Sequence, residues 1–140
     1  MSRTIVVTGA ASGIGQATAQ ILEDAGNRVI RVDLREGDVT ADLGTKEGVA
    51  AAVETITELS DGVIDGLVAN AGVSHPTELA LKINYFGTVA LIEGLRPLLA
   101  KSEAPRITVT SSAATLQGND PELVDMLLDG NYDAAVERGV

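Results

Sequence analysis

The chain has 140 residues, which is enough for one domain with a substantial buried core. It contains 20 acidic against 10 basic residues, and the net charge of −10 argues against nucleic acid, whose phosphates need clusters of lysine and arginine. The absence of cysteine excludes disulfides and thiolate metal sites, and we predict no metal site. The apolar run near the amino terminus is too short for a signal-peptide core or a membrane span, so we expect a cytoplasmic protein without a membrane partner.

A glycine-rich turn near the amino terminus carries the fold prediction. It follows a run typical of a strand, Thr4–Val7, and precedes apolar or small residues at helical spacing, namely Ile14, Ala17, Ile21, Leu22 and Ala25. Glycines at positions 9, 13 and 15 permit a tight turn, close approach of a ligand and close packing of the helix on the strand. The start of this helix then offers unpaired N–H groups to a pyrophosphate. The alternative is a glycine-rich loop without a ligand.

An acidic residue ends the next predicted strand, Arg28–Asp33. Asp33 follows Gly15 by 18 positions, the spacing at which a dinucleotide site places a carboxylate on the adenosine ribose. The alternative is an acid that closes a strand at the surface. The charge of Asp33 would repel a 2′-phosphate and so favours NAD over NADP, although Arg35 softens that preference. Ser12 adds no positive charge to the turn.

Strands and helices alternate through the remainder of the chain. The predicted elements are, in order, a strand at Asp38–Leu43, a helix capped by Thr45 and ended by Ser60–Gly62, a strand at Val63–Ala69, a helix from Thr77 to Lys101, a strand at Arg106–Thr110, a helix that begins at Asp120, and a short helix from Tyr132 to Glu137. This alternation predicts an α/β fold with a doubly wound parallel sheet of the Rossmann type, about five strands in the order 3-2-1-4-5. We interpret residues 1–140 as one dinucleotide-binding domain in which 113–140 form an acidic helical extension. The carboxyl ends of parallel strands meet at one edge, so Asp33, Asp42 and Asn70 are expected to gather there with the glycine turn.

Three further residues stand out beyond the fourth predicted strand. His75, the only histidine, falls in the loop that leaves the strand, and a lone loop histidine is more often plain surface than catalytic. Asn84, together with Gly87, interrupts the apolar face of the long helix. A buried asparagine needs partners, so Asn84 is either a structural bridge or part of a polar relay. Pro97 is expected to kink this helix or to mark its last turns.

These motifs form an ordered series: Thr8-Gly9-(x)3-Gly13-Ile14-Gly15, Asp33, Asp42-Leu43, Asn70-Ala71-Gly72, Asn84 with Gly87, and Ser112. The series resembles the short-chain dehydrogenase/reductase family over residues 4–112. The resemblance implies that the cofactor is NAD and that the cofactor-binding residues are Gly9, Ser12, Gly13, Ile14, Gly15, Asp33, Asp42, Leu43, Asn70, Ala71 and Gly72. It also implies that the small-molecule partner is the substrate, a secondary alcohol or ketone.

The resemblance also assigns roles within this set. The pyrophosphate lies on the glycine turn, Asp33 binds the adenosine ribose, and the adenine contacts Asp42 and Leu43. Asn84 holds a water in the proton relay, and Ser112 hydrogen-bonds the substrate oxygen. The short spacing from Asn70 to Asn84 and the acidic helical stretch after Ser112 look like bacterial 3α-hydroxysteroid dehydrogenases, in which extra helices alter the usual dimer surface.

One expected part of the family's machinery is not in place. The family's general base is a tyrosine followed four residues later by a lysine. The only tyrosines are Tyr85, which we attribute to packing, and Tyr132, which has Val136 where the lysine is required. No lysine follows Lys101. That lysine would bind the nicotinamide ribose and lower the pKa of the tyrosine, so the 140 residues alone are predicted to be inactive.

The fifth predicted strand would leave an apolar, β-branched edge, which natural sheets usually shorten, charge or cover. We therefore expect an incomplete sheet whose later strands are missing, and we interpret the chain as the amino-terminal part of a longer dehydrogenase. The alternative is a chain that covers this edge by association, for example as a homo-oligomer. Two other functions stay open. One is a non-catalytic dinucleotide-binding or assembly module, and the other is a structural remnant that binds nothing.

Overall fold

The computed structural model describes residues 2–74, 77–112 and 116–139. Its centre is a five-stranded sheet in the order β3-β2-β1-β4-β5, in which neighbouring strands pair in parallel. The strands are β1 (Thr4–Thr8), β2 (Arg28–Asp33), β3 (Val39–Thr40), β4 (Gly66–Ala69) and β5 (Arg106–Val109). The predicted fold class and strand order are confirmed.

Helices connect the strands and follow β5. They are α1 (Gly13–Asp24), α2 (Lys46–Leu59), α3 (Glu78–Ala80), α4 (Thr88–Leu99), α5 (Pro121–Leu128) and α6 (Tyr132–Arg138). Between α3 and α4 the chain continues through a π-helical stretch, Leu81–Gly87, here called the π segment. The long helix predicted in this region is therefore present, but it contains a π turn where Asn84 and Gly87 interrupt its apolar pattern. Pro97 lies in the last turn of α4.

Helix α1 packs on one face of the sheet, and helices α2 and α4 pack on the other. Along β1, the side chain of Val6 packs into the cluster formed with α2 and α4, whereas Ile5 and Val7 pack into the cluster that contains Ala19 of α1. This alternation is the two-residue period of a strand that is buried on both faces. Because neighbouring strands pair in parallel, their carboxyl ends lie at the same edge of the sheet.

Helix α1 packs on the sheet mainly through Gly15 and Ala19, with the partly buried Leu22 beside them. Gly15 and Ala19 are buried, whereas Ile14 and Ile21 are 70% and 68% exposed. The helix lies too close to the preceding turn for a side chain at position 15, since a Cβ there would stand 2.0 Å from the carbonyl oxygen of Gly9. The predicted helix is confirmed, but of the apolar stripe that indicated it only Leu22 packs against the core cluster, whereas Ile14 and Ile21 are exposed.

Strands β3 and β4 are shorter than the sequence predicts. β3 ends early because the side chain of Asp42 accepts the N–H of Gly44 at 2.9 Å and begins a turn there.

β5 is the outermost strand of the described sheet, and its Ile107 and Val109 are 45% and 50% exposed. The open apolar edge expected from the sequence is therefore present in the described residues. The prediction for His75 lies outside them.

Asp65 joins three strands at their amino ends. Its Oδ2 accepts the N–H of Thr4 at 2.8 Å, and its Oδ1 accepts the hydroxyl of Ser102 at 2.7 Å. Its carbonyl oxygen also accepts the N–H of Arg106 at 3.0 Å. The hydroxyl of Ser102 and the N–H of Thr4 stabilise the charged carboxylate and so hold the pKa of Asp65 below its ordinary value.

We expect Asp65→Asn to lower the free energy of unfolding at pH 7 by about 1–3 kcal/mol, because a neutral amide accepts these hydrogen bonds less strongly than a carboxylate. The folded pKa lies below the unfolded one, so this stabilisation is present above the unfolded value of about 4 and is lost as the pH falls through the folded pKa. Urea unfolding at neutral and acidic pH, followed by circular dichroism, measures both effects.

The Asn variant should lose less stability on acidification than the wild type. Asp125→Asn is the matched control, because Asp125 is exposed on α5 and its carboxylate bonds no other described residue. Equal pH dependence of unfolding in Asp65→Asn and in the wild type would contradict the role given to Asp65.

Candidate functional site

The turn between β1 and α1 adopts a backbone that glycine takes far more easily than other residues. The φ angle is +67° at Gly9 and +56° at Gly13, both in the left-handed region. A Cβ at Gly9 would lie 3.1 Å from the Cα of Ala71, so the turn also closely approaches the chain that leaves β4. A Cβ at Gly13 would meet nothing within 4 Å, so the backbone there faces open space.

Ser12 is the N-cap of α1, with extended backbone at φ −155°. Its side chain makes no capping hydrogen bond, and the first turn of α1 contains no acidic side chain. The N–H groups of a first helical turn have no partner within the helix, and the positive end of the helix dipole lies there. The start of α1 can therefore receive an anion.

Asp33 ends β2 beside this turn. Its Oδ2 accepts the N–H of Ala11 at 3.0 Å, and its Oδ1 accepts the N–H of Arg35 at 3.3 Å. The bond to Ala11 crosses from β2 to the glycine turn and fixes the carboxylate next to the start of α1. Each carboxylate oxygen has further lone-pair sites, which are suited to the hydroxyl groups of a ligand.

These residues meet in a groove of about 290 Å³ at the carboxyl ends of the strands. The predicted site residues that line it are Gly9, Ser12, Asp33, Asp42, Leu43, Asn70, Ala71 and Gly72. Four further residues line it that the sequence does not single out, namely Leu34, Ala41, Val73 and Ile83. All four lie directly beside predicted positions, and that adjacency is the one sequence signal that could have indicated them.

The other predicted site residues lie around the groove rather than in its lining. Gly13 opens α1, and Gly15 is buried against the carbonyl group of Gly9. Ile14 projects into solvent. Ser112 lies exposed beyond the carboxyl end of β5.

The sequence assigns no role to Thr8, yet this residue joins the two central strands at the groove. Its side chain is buried, and its hydroxyl oxygen accepts the N–H of Asn70 at 3.0 Å and the N–H of Ala71 at 2.9 Å. The side-chain oxygen of Asn70 in turn accepts the hydroxyl of Thr110 at 3.0 Å. The one sequence signal for this network is a hydroxyl residue at the end of an apolar strand, directly before Gly9.

Asn84 lies in the π segment and binds the chain that leaves β4. Its Oδ1 accepts the N–H of Val73 at 2.8 Å, and its Nδ2 donates to the carbonyl oxygen of Val73 at 2.8 Å. Gly87 brings the same segment against the groove, since a Cβ there would lie 2.1 Å from the carbonyl oxygen of Leu43. Asn84 is exposed rather than buried, and its side chain bridges the π segment to Val73. The role in a polar relay stays a prediction.

The described residues offer few other reactive groups to the groove. Among them, no cluster of three or more histidine, aspartate or glutamate side chains is arranged to hold a metal ion. Tyr85 and Tyr132 pack against Phe86, with ring centroids 5.3 Å and 4.7 Å apart, and neither lines the groove. No helix in the described ranges has the length and apolar character needed to span a membrane.

A family model described as Enoyl-(Acyl carrier protein) reductase matches residues 9–126, which is most of the chain. The chain belongs to the short-chain dehydrogenase/reductase family. The chain is 38% identical over 114 residues to the 3-alpha-hydroxysteroid dehydrogenase/carbonyl reductase of Comamonas testosteroni. That match covers 79% of this chain and 44% of the relative.

Solved structures of short-chain dehydrogenases share the fold. The 3-alpha-hydroxysteroid dehydrogenase from Pseudomonas sp. B-0831, complexed with NADH, matches with a TM-score of 0.93 and 37% identity, over 97% of this chain and 56% of that one. A short chain dehydrogenase from Shigella flexneri 2a str. 301, complexed with NADP, matches with a TM-score of 0.72 and 28% identity, over 84% of this chain and 62% of that one. This short-chain dehydrogenase/reductase thus spans about half the length of the relatives it matches. The resemblance predicted from the sequence is confirmed.

Proposed function

We propose that this chain is the dinucleotide-binding half of an NAD-dependent oxidoreductase that acts on a secondary alcohol or ketone. The observation that carries the proposal is the meeting of the glycine turn and Asp33 in one groove, with the N–H of Ala11 on the Asp33 carboxylate at 3.0 Å. A hydroxysteroid is the favoured substrate class. It is supported by the names of the Comamonas and Pseudomonas relatives.

The residues present fit a nicotinamide dinucleotide. The open space over Gly13 lets a diphosphate approach the backbone at the start of α1. Asp33 would bind the adenosine ribose, Asp42 and Leu43 would flank the adenine, and Asn70–Gly72 would flank the middle of the cofactor. When bound, such a cofactor accepts or delivers a hydride.

Charges beside Asp33 favour NAD over NADP. A recess next to the groove is lined by Ala11, Ser12, Asp33, Arg35 and Glu36. It contains two carboxylates against one guanidinium, so its net charge is negative. A 2′-phosphate on the adenosine ribose would bring more negative charge into this recess and would be repelled.

The chain supplies part of the catalytic machinery. We infer that Ser112 hydrogen-bonds the substrate oxygen and that Asn84, besides holding Val73, supports a water of the proton relay. Proton transfer also needs a general base, and the 140 residues contain no tyrosine followed four positions later by a lysine. The chain by itself is therefore expected to bind the dinucleotide without turning over an alcohol.

A non-catalytic dinucleotide-binding or assembly module is the second candidate function. It is favoured by β5, whose outer edge is unpaired and whose apolar side chains Ile107 and Val109 are exposed in the described structure. Another strand, from a further part of the protein or from a second copy, would pair with that edge. Both candidates use the same groove, so turnover by the assembled protein is what separates them.

Asp33→Ala is expected to weaken NAD binding by about tenfold or more, because it removes the charged acceptor proposed for the ribose hydroxyls. Isothermal titration calorimetry of NAD into the 140-residue chain measures the effect. Asp125→Ala is the matched control, since it makes the same change of charge on α5, outside the lining of the groove. It should bind NAD like the wild type.

A further variant separates binding from local structure, because Asp33 also accepts the N–H of Ala11. Asp33→Asn keeps an acceptor for this N–H and should still lose most of the affinity that Asp33→Ala loses. NAD binding that neither variant alters would remove Asp33 from the site. A flat titration of the wild type would reject the proposed function in favour of a structural remnant.

A further inference from the structure

The hairpin formed by α5 and α6 meets the rest of the fold at the π segment. Tyr132, the first residue of α6, packs against Phe86 of the π segment, with ring centroids 4.7 Å apart. The ammonium group of Lys46, at the start of α2, lies 4.9 Å from the centroid of the same tyrosine ring. Tyr132 therefore contacts two elements of the fold at once, one through ring packing and one through a cation–π interaction.

Further contacts make the hairpin dock as a unit. Ala135 of α6 is fully buried, and a Cβ at Gly139 would stand 2.2 Å from the Cδ1 of Leu81, so α6 lies close against the π segment. Arg138 near the end of α6 binds Asp120, the N-cap of α5, at 2.6 Å. This ion pair joins α6 to the start of α5.

The same π segment forms part of the groove. Ile83 lines the groove, and Asn84 binds both backbone groups of Val73, which also lines it. Gly87 brings the segment into close contact with the carbonyl group of Leu43. The hairpin and the groove are therefore separated by one helical segment of seven residues.

An open surface recess of about 200 Å³ lies beside the contact between the hairpin and the π segment, and its lining includes Leu43, Lys46, Phe86 and Tyr132. The ring of Tyr132 contacts both Phe86 and Lys46. The loss of this one ring should therefore have a measurable effect on the docking of the hairpin.

We propose that Tyr132 is a positioning residue for the groove. By docking on Phe86 beneath Lys46, it holds the π segment where Asn84 reaches both backbone groups of Val73. π-helical turns are rare and persist where their surroundings support them. When the hairpin undocks, the π segment relaxes, Asn84 releases Val73, and this wall of the groove becomes mobile.

Hydrogen exchange at the amide of Val73 reports this coupling, because the acceptor of that amide is the side chain of Asn84. We expect Tyr132→Ala to accelerate exchange at Val73 about tenfold or more, as measured by NMR, while Val6 in β1 exchanges as in the wild type. Tyr132→Phe keeps the ring and should restore slow exchange. Leu128→Ala is the control within the hairpin, since Leu128 is 72% exposed on α5, and it should change neither amide.

A second variant keeps the test decisive if Tyr132→Ala does not fold. Lys46→Met keeps most of the side chain but removes the charge over the ring, and should accelerate exchange at Val73 about two- to fivefold. Unchanged exchange at Val73 in these variants overturns the proposal. Equal acceleration at Val73 and Val6 also overturns it, because a general loss of stability would then explain the result. The measurement needs no dinucleotide, so its outcome is independent of the proposed function.

Discussion

Replacing Gly15 by alanine is expected to lower the free energy of unfolding by more than about 3 kcal/mol. A Cβ at this position would lie 2.0 Å from the carbonyl oxygen of Gly9 and 2.7 Å from the Nδ2 of Asn70. The nearer atom belongs to the backbone of a residue already held at a φ of +67°, so no rotation of a side chain can relieve the clash. Helix α1 must instead move away from β1, which opens the core cluster around Ala19 and separates the glycine turn from the groove.

Two other glycines provide matched controls for this prediction. Gly13→Ala meets no atom within 4 Å but must adopt a φ of +56°, so it should cost about 1–2 kcal/mol through backbone strain alone. Gly118→Ala meets no atom within 4 Å and has no positive φ, so it should be nearly neutral. Chemical denaturation followed by circular dichroism ranks the three variants. A Gly15→Ala variant as stable as Gly118→Ala would show that the helix does not need this close approach.

The features that the sequence predicts are those that depend on short stretches of chain. The end of β2 at Asp33 and the cap of α2 at Thr45 are set by a few neighbouring residues, and both are observed. The strand order also follows from local patterns, because alternating strands and helices of this length leave few possible topologies. Asp33 comes to lie beside the glycine turn because parallel strands end at the same edge of a sheet.

The features that the sequence does not predict depend on distant contacts. The apolar stripe of α1 does not predict the burial of Gly15 and Ala19, which accompanies the close approach of the helix to Gly9. The π segment likewise has no pattern of its own that separates it from an ordinary helix. The π segment contacts Val73 on one side and Tyr132 on the other. Both residues belong to other parts of the chain. Periodicity describes one element at a time and therefore carries no information about such pairs.

Thr8→Val is expected to lower the free energy of unfolding by about 2–4 kcal/mol although it preserves the shape of the side chain. The hydroxyl of Thr8 is buried and accepts the N–H groups of Asn70 and Ala71, so valine leaves two donors without a partner. Each such loss costs about 1–3 kcal/mol when water cannot replace the acceptor. Asn70 and Ala71 also line the groove, so the same variant should weaken NAD binding at temperatures where it is still folded.

Thr8→Ser distinguishes the hydroxyl group from the packing of the side chain. Serine keeps the acceptor and loses one methyl group, which should cost only about 1 kcal/mol and leave NAD affinity close to that of the wild type. Thermal unfolding and calorimetric titration of both variants on the same preparations provide the comparison. If valine and serine have equal effects on stability and on binding, the hydroxyl does not hold the ends of β1 and β4 together. A larger loss for valine in both measurements would show that one buried hydroxyl supports the central strands and the groove at once.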